Sequence, residues 1–507
     1  MLVLVGTLSS ALALVPAGAR WLRVAQREHY LPGSTTRFAW RWWTGRRLAS
    51  AMAVVAVAAA VVAFAYPVVA LATAVVVVLG PPSLSVRGRT SPLALTRRLR
   101  LLAALWLVLQ AVVIAVGVVV HRPAPVAALG ACAVPLLVDA ACAVLFPVER
   151  RLIRPYLRAA QARLVQVSPV VVAVTGSFGK TSTKQHIAHL VAGSRAVVAS
   201  PASYNNRAGL ARAVNEHLSP GTDVFVAEMG TYGAGEIADL CRWCPPAIAV
   251  ITAIGPVHLE RFKTEEAIVT AKAEITETAH TVVLNVDDAR LAALADRLEG
   301  AGTRSVVRCS ATDRSADVCV VACGGSVSVY AAGRAIGPDV ALPGSVQPTN
   351  LACALAVAWS LGVPHEAAVS RIAGLPAVPN RLTSAQATSG VWVIDDTFNA
   401  NPAGTRAALA ALLALPVDGR RVVVTPGMVE LGPRQRDENR AFARAVTEAG
   451  ADLVIVGHTN RVALRSGSSP GEPVLVGTRE DAVAWIRATL GPGDAVLYEN
   501  DLPDHYR

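Results

Sequence analysis

A glycine-bracketed loop at residues 174–184 constrains this chain more than any other feature. The loop reads Val-Thr-Gly-Ser-Phe-Gly-Lys-Thr-Ser-Thr-Lys, and it lies between an apolar run, Val170 to Val174, and a helix-like run, Gln185 to Val191. In such a strand–loop–helix unit, backbone N–H groups can surround phosphate oxygens while the helix N-terminus adds positive potential. Lys180 supplies a compact positive charge, and Thr181 supplies a hydroxyl ligand for Mg²⁺. The loop therefore predicts a nucleoside triphosphate site, with ATP as the expected ligand.

Positive charge is concentrated in the first third of the 507-residue chain. Residues 1–163 hold 18 Arg but three acids, Glu28, Asp139 and Glu149, for a net charge of +15, whereas the whole chain carries +11. The remaining residues therefore sum to −4. Because the basic segment is also apolar and no nucleic-acid-binding motif follows it, the charge indicates a membrane surface as partner and argues against nucleic acid.

Apolar runs in this segment are long enough to cross a bilayer. Leu101 to Val120 and Val126 to Pro147 each provide the roughly 20 residues that a transmembrane helix needs. Leu2 to Gly18 is shorter, and since it lacks a basic leading region, we favour a membrane segment over a cleaved signal peptide. Leu48 to Gly80 would be about 50 Å long as one helix, against about 30 Å of hydrocarbon, so it forms one span or two.

The distribution of arginines chooses between these alternatives. Residues 20–47 contain seven Arg and residues 87–100 contain five, and loops rich in Arg stay in the cytoplasm. Leu48 to Gly80 must then enter the membrane and return, with Tyr66-Pro67 as the natural bend. We therefore predict a transmembrane region of about five segments at residues 1–150, with the N-terminus outside and the later residues in the cytoplasm.

Two further features leave alternatives open. Asp139 interrupts an apolar run, so it is either a functional intramembrane carboxylate or part of a helix contact or short loop. Cys241 and Cys244 could supply two zinc ligands, but no second C-x-x-C motif accompanies them. Buried, apolar cysteines are therefore the preferred interpretation.

After Val170, apolar β-branched runs alternate with helical stretches, which is the pattern of a parallel sheet covered on both faces. The series restarts at Val391, with a boundary near Pro376 to Pro379. Alternation between Asp313 and Asp339 predicts a small β-hairpin region. The expected fold class is α/β, with N-terminal transmembrane helices, a P-loop ATPase-type central domain at 166–378 and a Rossmann-like C-terminal domain at 379–507.

Lysine is rare in this chain, which has four Lys against 43 Arg. A lysine that persists under such a bias suggests a role that a guanidinium cannot fill. Lys180 fits beside phosphates, and Lys272, in a predicted helix, carries an amine that can react with carbon dioxide. The alternative for Lys272 is an ordinary solvated helix lysine, which its residue type and position alone favour.

Further candidates follow predicted strands, at the sheet edge where α/β proteins bind ligands. Glu228 comes after four apolar residues, so its burial is costly unless it binds a metal or a donor. His258 carries little weight alone, but beside Glu228 and the loop it becomes a second candidate Mg²⁺ ligand.

The last predicted domain offers a polar segment of the same kind. Asp395, Asp396, Asn399 and Asn401 follow an apolar strand, either as ligand groups or as a polar turn. Arg381, just past the domain boundary, could reach a phosphate, although a surface Arg in a linker would have the same pattern.

Together these segments resemble the Mur ligase family, the ATP-dependent amide ligases of peptidoglycan assembly. They are most similar to the branch that adds D-Ala-D-Ala to a UDP-linked tripeptide. The matching segments follow the family's order over roughly residues 166–440, and they are Thr-Gly-Ser-Phe-Gly-Lys180-Thr-Ser, Ser-Tyr-Asn205-Asn206, Ala-Glu228-Met-Gly, His258-Leu-Glu, Ala-Lys272-Ala-Glu-Ile, Leu-Asn285-Val-Asp-Asp288, Asn380-Arg381-Leu and Asp395-Asp396-Thr-Phe-Asn-Ala-Asn-Pro.

The resemblance implies a reaction in which a substrate carboxylate attacks the γ-phosphate of ATP, and an amine then displaces phosphate from the acyl phosphate. It implies catalytic roles for Lys180, Lys272 and His258, with two Mg²⁺ ions and a carbamylated Lys272. The implied ATP ligands are Gly176, Ser177, Gly179, Lys180, Thr181, Ser182, Arg381, Asp396 and either Asn350 or Gln347. The implied metal ligands are Thr181, Glu228, His258 and Lys272, and the implied substrate ligands are Asn205, Asn206, Asn399 and Asn401.

The chain departs from the family where substrates bind. Family members have a soluble UDP-sugar domain before the loop, whereas membrane segments precede it here, so the expected substrate is a small-molecule or lipid-linked peptide precursor. Tyr498-Glu-Asn-Asp stands in the region of the branch's C-terminal Gly-Ser-Arg motif. We expect a multi-pass ligase of the bacterial cytoplasmic (inner) membrane that joins a carboxylate to D-Ala-D-Ala or an amino acid in cell-wall synthesis. The alternatives are a polyglutamate-synthase-like ligase and an ATP-binding membrane scaffold without ligase activity.

Overall fold

The computed structural model describes residues 1–45, 47–82, 84, 93–257, 259–343, 346–376, 381–398, 400–502 and 506. Some predictions concern residues outside these ranges. They are the predictions for His258, for Asn399, for most of the Pro376–Pro379 boundary and for the first part of the 87–100 loop. The chain forms two compact units, one from residues 1–154 with 502–507 and the other from residues 155–501.

The first unit is helical. Its helices are α1 (Leu2–Arg27), α2 (Ser34–Gly45), α3 (Arg47–Val62), α4 (Ala70–Leu79, preceded by a 3₁₀ turn at Pro67–Val69), α5 (Arg97–Val119), α6 (Pro123–Cys132) and α7 (Val134–Leu152), and α8 (Arg154–Val167) leads into the second unit. By length and composition, α1 and α5 could each cross a membrane. Two bent pairs, α2 with α3 and α6 with the helices after it, raise the number of candidate spans in the described residues to four at most. The expected number was about five.

The segment from Leu48 to Gly80 does turn back at the expected position. Helix α3 ends before Tyr66-Pro67, α4 begins after it, and Thr73 Oγ1 donates to the carbonyl oxygen of Ala56 at 3.1 Å. The two arms pack as a helical hairpin. With 16 residues in α3 and 10 in α4, each arm is shorter than the about 20 residues needed to cross a bilayer, which explains the lower count.

The run expected to form one span from Val126 to Pro147 is broken in the middle. Helix α6 ends at Cys132, and the axis then bends by 72°. Pro135 lies in the first turn of α7. Its missing N–H and its ring are incompatible with a continuous helix, because the ring would clash with the carbonyl of the residue four positions earlier.

Asp139 has a structural partner. Its carboxylate accepts hydrogen bonds from the backbone N–H of Gly33 at 3.0 Å and of Thr36 at 2.9 Å, at the start of α2. A carboxylate at a helix N-terminus satisfies unpaired donors and the helix dipole. Of the alternatives for Asp139, this contact corresponds to the helix-contact role.

The second unit begins with a ten-stranded sheet in the order β10-β8-β7-β6-β5-β4-β1-β3-β2, with β9 paired to β8. Its elements are β1 (Val170–Thr175), α9 (Lys180–Val191), β2 (Val197–Ala199), α10 (Arg207–His217), β3 (Val224–Glu228), α11 (Glu236–Trp243), β4 (Ile248–Ile251), α12 (Leu259–Phe262), α13 (Glu265–Ala273), β5 (Thr281–Asn285), α14 (Ala289–Ala301), β6 (Ser305–Ser310), β7 (Val318–Cys323), β8 (Ser326–Ala331), β9 (Arg334–Ala335), β10 (Val340–Ala341), α15 (Pro348–Ser360) and α16 (His365–Ser370).

The central strand β1 is almost completely buried. On one face of the sheet, Val172 and Val174 pack in a core with residues of α9 and α15, and Val171 and Ala173 on the opposite face are buried as well. Burial on both faces explains the uninterrupted apolar sequence of β1. The predicted hairpin region is confirmed by β7 and β8, which pair antiparallel around Gly324 and Gly325. Both glycines have positive φ angles, of 52° and 93°, as a two-residue hairpin turn requires.

A six-stranded sheet follows in the order β11-β12-β16-β13-β14-β15, and all its neighbouring strands are parallel except β11 and β12. Its elements are β11 (Thr383–Gln386), β12 (Trp392–Asp396), α17 (Pro402–Leu413), β13 (Arg421–Thr425), α18 (Gln435–Glu448), β14 (Asp452–Val456), α19 (Arg461–Gly467), β15 (Val474–Val476), α20 (Arg479–Thr489) and β16 (Ala495–Glu499). The expected α/β fold class is confirmed.

Candidate active site

The glycine-bracketed loop connects β1 to α9 as predicted. Gly179 has a φ of 83° and precedes the first residue of α9, a conformation that a side chain would strain. A Cβ atom at Gly179 would overlap the side chain of Asn350, and one at Gly176 would overlap Thr252 Oγ1. The loop backbone is therefore free of side chains where it approaches these two residues. Such a bare, N–H-lined turn at a helix N-terminus fits a phosphate group.

The end of β4 anchors this loop. Thr252 Oγ1 donates to the carbonyl oxygen of Phe178 at 2.5 Å. Ser177 donates its backbone N–H to the carbonyl oxygen of Ala253 at 2.8 Å, and its hydroxyl accepts the N–H of Gly255 at 3.0 Å. Because β1 lies beside β4 in the sheet, these bonds hold the loop at the carboxyl edge of the parallel strands, where α/β proteins bind ligands.

Lys180 Nζ folds over the loop and donates to the carbonyl oxygen of Gly176 at 2.7 Å. Burial lowers the pKa of Lys180 to about 8, while the carboxylate of Glu228 opposes the shift and Arg381 adds to it. Lys180 therefore loses its proton at a lower pH than an ordinary lysine, and the negative charge of a phosphate would stabilise its protonated form.

Glu228 collects three donors at the same edge of the sheet. Its carboxylate accepts from Thr181 Oγ1 at 2.9 Å, from Lys184 Nζ at 3.1 Å and from Asn205 Nδ2 at 3.1 Å. The parallel register of β1 and β3 sets Glu228 opposite Val174, two residues before the loop glycine. The predicted candidates Thr181, Glu228 and Asn205 are therefore brought together.

Lys184 is a site residue that sequence reasoning did not select. Its side chain is 2% exposed, and its Nζ also donates to the carbonyl oxygen of Ala202 at 2.6 Å. Burial lowers the pKa of Lys184, and Glu228 opposes this shift. The rarity of lysine was the signal that could have identified it, since Lys184 is one of four.

Lys272, near the C-terminus of α13, is buried at 4% exposure, so the solvated-lysine interpretation is wrong. Among the residues that the structure describes, no hydrogen-bond or ion-pair partner contacts its Nζ. Burial lowers the pKa of Lys272 well below its usual value, and the charge of Lys180 adds to the shift. Burial and the charge of Lys180 therefore both favour the neutral amine, which is the form that can add to carbon dioxide.

Arg381 is half-buried and precedes the first strand of the six-stranded sheet, and its guanidinium lies 4.6 Å from the ring centre of Phe398. Burial lowers its pKa, while the charges of Asp396 and Glu228 raise it. The carboxylate of Asp396 accepts the N–H of Leu382 at 3.2 Å. Arg381 therefore interacts electrostatically with both carboxylates, that of Asp396 and that of Glu228.

A second acid, Glu499, lies beside Asp396 and was not selected from the sequence. Strands β12 and β16 pair these two residues in register. Glu499 is completely buried, and within the described part of the chain no donor group contacts either carboxylate oxygen. Burial and the charge of Asp396 raise the pKa of Glu499 well above its usual value. An acid directly after an apolar strand, the signal used for Glu228, could have found it.

The remaining predicted residues divide into two groups. Asn206 and Asn401 cap α10 and α17, since their Oδ1 atoms accept the N–H of Gly209 and of Gly404 at 3.0 Å. Ser182 and Asn350 lie at the loop, Ser182 in the first turn of α9 and Asn350 beside Gly179. Gln347, the alternative to Asn350, precedes α15.

Cys241 and Cys244 are both buried as free thiols, as the preferred interpretation predicts. Burial raises the pKa of each thiol to about 12. A buried thiol of this kind behaves as a small apolar side chain.

Two family models match the chain: the Mur ligase middle domain over residues 174–358, and the Mur ligase glutamate ligase domain over residues 380–498. The chain is 33% identical to the UDP-N-acetylmuramoyl-tripeptide–D-alanyl-D-alanine ligase of Mycobacterium leprae over 383 residues, covering 67% of this chain and 72% of that ligase. It is 28% identical to the Escherichia coli ligase of the same name over 312 residues, covering 61% and 68%. Among solved structures, it is similar to the MurF ligase of Thermotoga maritima in complex with ADP, with a TM-score of 0.60, 26% identity, and coverage of 69% of this chain and 80% of that one.

Proposed function

The chain belongs to the Mur ligase family, and from that premise we propose that it is a membrane-anchored ligase of cell-wall peptide synthesis. As a Mur ligase it is an ATP-dependent enzyme that forms peptide bonds. In this proposal the enzyme joins a small-molecule or lipid-linked peptide precursor to D-Ala-D-Ala or an amino acid. Its proposed location is the bacterial cytoplasmic membrane, with the catalytic residues in the cytoplasm.

The observation that carries the proposed ligation is the buried amine of Lys272. It lies within the electrostatic reach of Lys180 in the phosphate loop and has no partner in the described residues, and burial lowers its pKa and so favours the neutral amine. A protein that used ATP as a switch would need the loop, but it would have no need of a buried, reactive lysine beside it. We propose that Lys272 is carbamylated, so that its new carboxylate-like group holds a second Mg²⁺ ion.

The residues at the loop fit ATP and magnesium. Gly176 and Gly179 leave the backbone open to phosphate oxygens, and Lys180 changes its charge state readily. Thr181 and Glu228 offer hydroxyl and carboxylate oxygens, which Mg²⁺ prefers. Bound ATP would supply the phosphoryl group that activates a carboxylate, and Mg²⁺ would screen the repulsion between the two anions.

The roles proposed for the other residues follow from their positions. Lys180 neutralises phosphate charge, and Ser182 and Asn350 border the phosphate and nucleotide sites. Arg381 and Asp396 approach the nucleotide from the six-stranded sheet, and this is supported by the electrostatic effect of Arg381 on Lys180 and of Glu228 on Arg381. By resemblance, His258 is a metal ligand, and Asn205, Asn206, Asn399 and Asn401 are substrate ligands.

Membrane anchoring is supported by the helical unit that precedes the ligase domains. Helices α1 and α5 are long and apolar enough to cross a bilayer, and 18 Arg accompany three acids in residues 1–163. Arginine-rich loops remain on the cytoplasmic side, where ATP is available.

A reconstitution experiment tests the proposal. Full-length protein in detergent is incubated with ATP, Mg²⁺ and a panel of UDP-linked peptides, lipid-linked precursors, D-Ala-D-Ala and glutamate, while phosphate release and product mass are followed together. We expect a product whose mass equals condensation of two substrates, and Lys272→Ala should lose this product but still bind ATP. Full ligase turnover in Lys272→Ala would overturn the carbamate role, and ATP binding without any condensation would overturn the proposed ligation.

A further inference from the structure

The helical unit contains a cavity of about 550 Å³ between α1, α2, α3, α4 and α6. This volume lies within the range of about 300–1,000 Å³ that is typical of small-molecule sites. The cavity follows α3 from Ala49 to Ala58, a length of about 14 Å at 1.5 Å per residue.

Aromatic side chains form part of the cavity wall. Three indole rings, from Trp21, Trp40 and Trp43, line the cavity. Trp43 packs edge-on against Trp21 with ring centres 6.2 Å apart, and Trp40 is 67% exposed. Tryptophan favours the interface between hydrocarbon and water, so a cavity with these rings on its wall is suited to a ligand at the membrane surface.

The rest of the described lining is mostly small or aliphatic, with Ala53, Ala56, Val57 and Val77 among its residues. The hydroxyls of Thr44 and Ser50, which also line the cavity, donate to carbonyl oxygens of α2. They are therefore satisfied within the protein and offer little to a polar ligand. A lining of this kind fits a hydrocarbon chain.

The helix that supplies Trp40 and Trp43 to the cavity is also positively charged. Helix α2 and the first residue of α3 carry Arg37, Arg41 and Arg47, and neither helix contains an acid. A hydrocarbon chain in the cavity would thus lie against a basic helix, and guanidinium groups bind phosphate oxygens strongly. The ligand that matches both the apolar lining and the basic helix is an amphiphile with a long chain and a phosphate head group.

We infer that this cavity binds the lipid chain of the ligase's own substrate, a peptide precursor carried on a long-chain lipid phosphate. This inference rests on the proposed ligase function. The family models begin at residue 174, and the helical unit precedes that point, where family members have a domain that holds a soluble UDP-linked substrate. This enzyme would then hold its substrate by a lipid chain in the helical unit, whereas family members hold theirs by the UDP group.

Photolabelling of the full-length protein in phosphatidylcholine nanodiscs tests the inference. The probe is a polyprenyl phosphate with a diazirine in its chain, and labelled peptides are identified by mass spectrometry. We expect labels on α2, α3 and α4. Ala53→Phe, which fills the cavity, should reduce labelling about tenfold. Val55→Phe is the matched control, because Val55 lies on the same helix but is 52% exposed and outside the cavity.

Competition with unlabelled lipids distinguishes the substrate from bulk lipid. Unlabelled polyprenyl phosphate should displace the probe, whereas phosphatidylglycerol at the same concentration should not, and a polyprenol without phosphate should displace it less. Equal displacement by phosphatidylglycerol would overturn the inference in favour of a general phospholipid groove. Unchanged labelling in Ala53→Phe would overturn it as well. If Ala53→Phe does not fold, Val57→Trp fills the same cavity from another lining position on α3.

The outcome is separable from that of the proposed function. Labelling does not require catalysis, so Lys180→Ala should lose ATP binding and keep its labels. Specific labelling without condensation of any substrate would leave the lipid site standing and overturn the ligase. Condensation of UDP-linked precursors without specific labelling would support the ligase and overturn the lipid site.

Discussion

Lys184 Nζ lies 3.1 Å from Glu228 Oε2, and both side chains are 2% exposed. This buried ion pair joins the first turns of α9 to the end of β3, directly beside the phosphate loop. Glu228 also accepts from Thr181 and Asn205, so Lys184 holds the carboxylate of a candidate metal ligand in place.

Removal of Lys184 should destabilise the second unit. In Lys184→Met the carboxylate of Glu228 keeps its burial but loses its cation, and breaking a buried pair in this way costs about 3–5 kcal/mol. We expect a clear fall in the melting temperature, which can be measured by tryptophan fluorescence. Arg212→Met is the control, since its pair with Glu216 is exposed and should contribute nothing measurable. Equal melting of Lys184→Met and the parent would contradict the structural role.

ATP binding should take up protons near pH 8. The pKa of Lys180 is lowered to about 8 by burial, so at pH 8 about half of the lysines are neutral, and bound phosphates favour the charged form. Calorimetry in buffers of different ionisation enthalpy should show an uptake of about half a proton per ATP at pH 8, and little at pH 6. In Lys180→Arg, whose guanidinium stays protonated, the contribution of this side chain should vanish. The same uptake at pH 8 in both proteins would assign the proton to another group.

The hydroxyl of Thr252 should matter for nucleotide affinity. It donates to the carbonyl oxygen of Phe178 at 2.5 Å, and Thr252→Ala leaves this loop carbonyl without that donor. A lost hydrogen bond of this kind costs about 1–3 kcal/mol, so the affinity for ATP should fall roughly tenfold. Thr252→Ser keeps the hydroxyl and should bind nearly as well as the parent. Loss of affinity in the serine variant, measured by titration calorimetry, would indicate that the methyl group is the important part.

Glu499→Gln should stabilise the protein increasingly as pH rises. Burial and Asp396 raise the pKa of Glu499 well above its usual value, so the folded state keeps a proton that the unfolded state releases above about pH 4.5. The stability contributed by this proton is complete below that pH and is lost as pH rises toward the folded-state pKa. Glutamine is neutral throughout, so the melting temperature of Glu499→Gln should exceed that of the parent by more at pH 8 than at pH 5.

Glu472→Gln, at an exposed position, serves as the control for the glutamate series and should show no such pH dependence. Glu499→Ala should be less stable than Glu499→Gln at every pH, because it leaves a cavity. A melting temperature difference between Glu499→Gln and the parent that does not change between pH 5 and pH 8 would contradict the raised pKa.

Asp139→Ala should weaken the helical unit without affecting nucleotide binding. The substitution removes the acceptor for the N–H groups of Gly33 and Thr36, and loss of such a helix cap costs about 0.5–2 kcal/mol. Thermal unfolding in nanodiscs should shift downward, whereas ATP affinity should stay unchanged. Loss of ligase turnover with unaltered melting would instead identify Asp139 as a functional intramembrane carboxylate.

Features that depend on residues adjacent in the sequence can be predicted from the sequence alone. The loop from Gly176 to Thr181 lies between its own strand and helix, so the sequence motif and the phosphate site coincide. The hairpin at Gly324-Gly325 and the turn near Tyr66-Pro67 follow from local backbone preferences in the same way. The break between α6 and α7 is not among the features predicted from the sequence. Pro135 indicates such a break, but the continuous hydrophobicity of Val126 to Pro147 favours a single membrane span.

The α/β fold class, the family and the position of the phosphate loop can be predicted from the sequence alone, because each depends on contiguous residues with strong local preferences. Long-range packing sets which polar side chains are buried together. Lys184 and Glu228 are 44 residues apart in the chain, and Asp396 and Glu499 become neighbours through strand order. The pKa of Lys272 falls because long-range packing removes its water, and desolvation of a charge depends on everything that surrounds it.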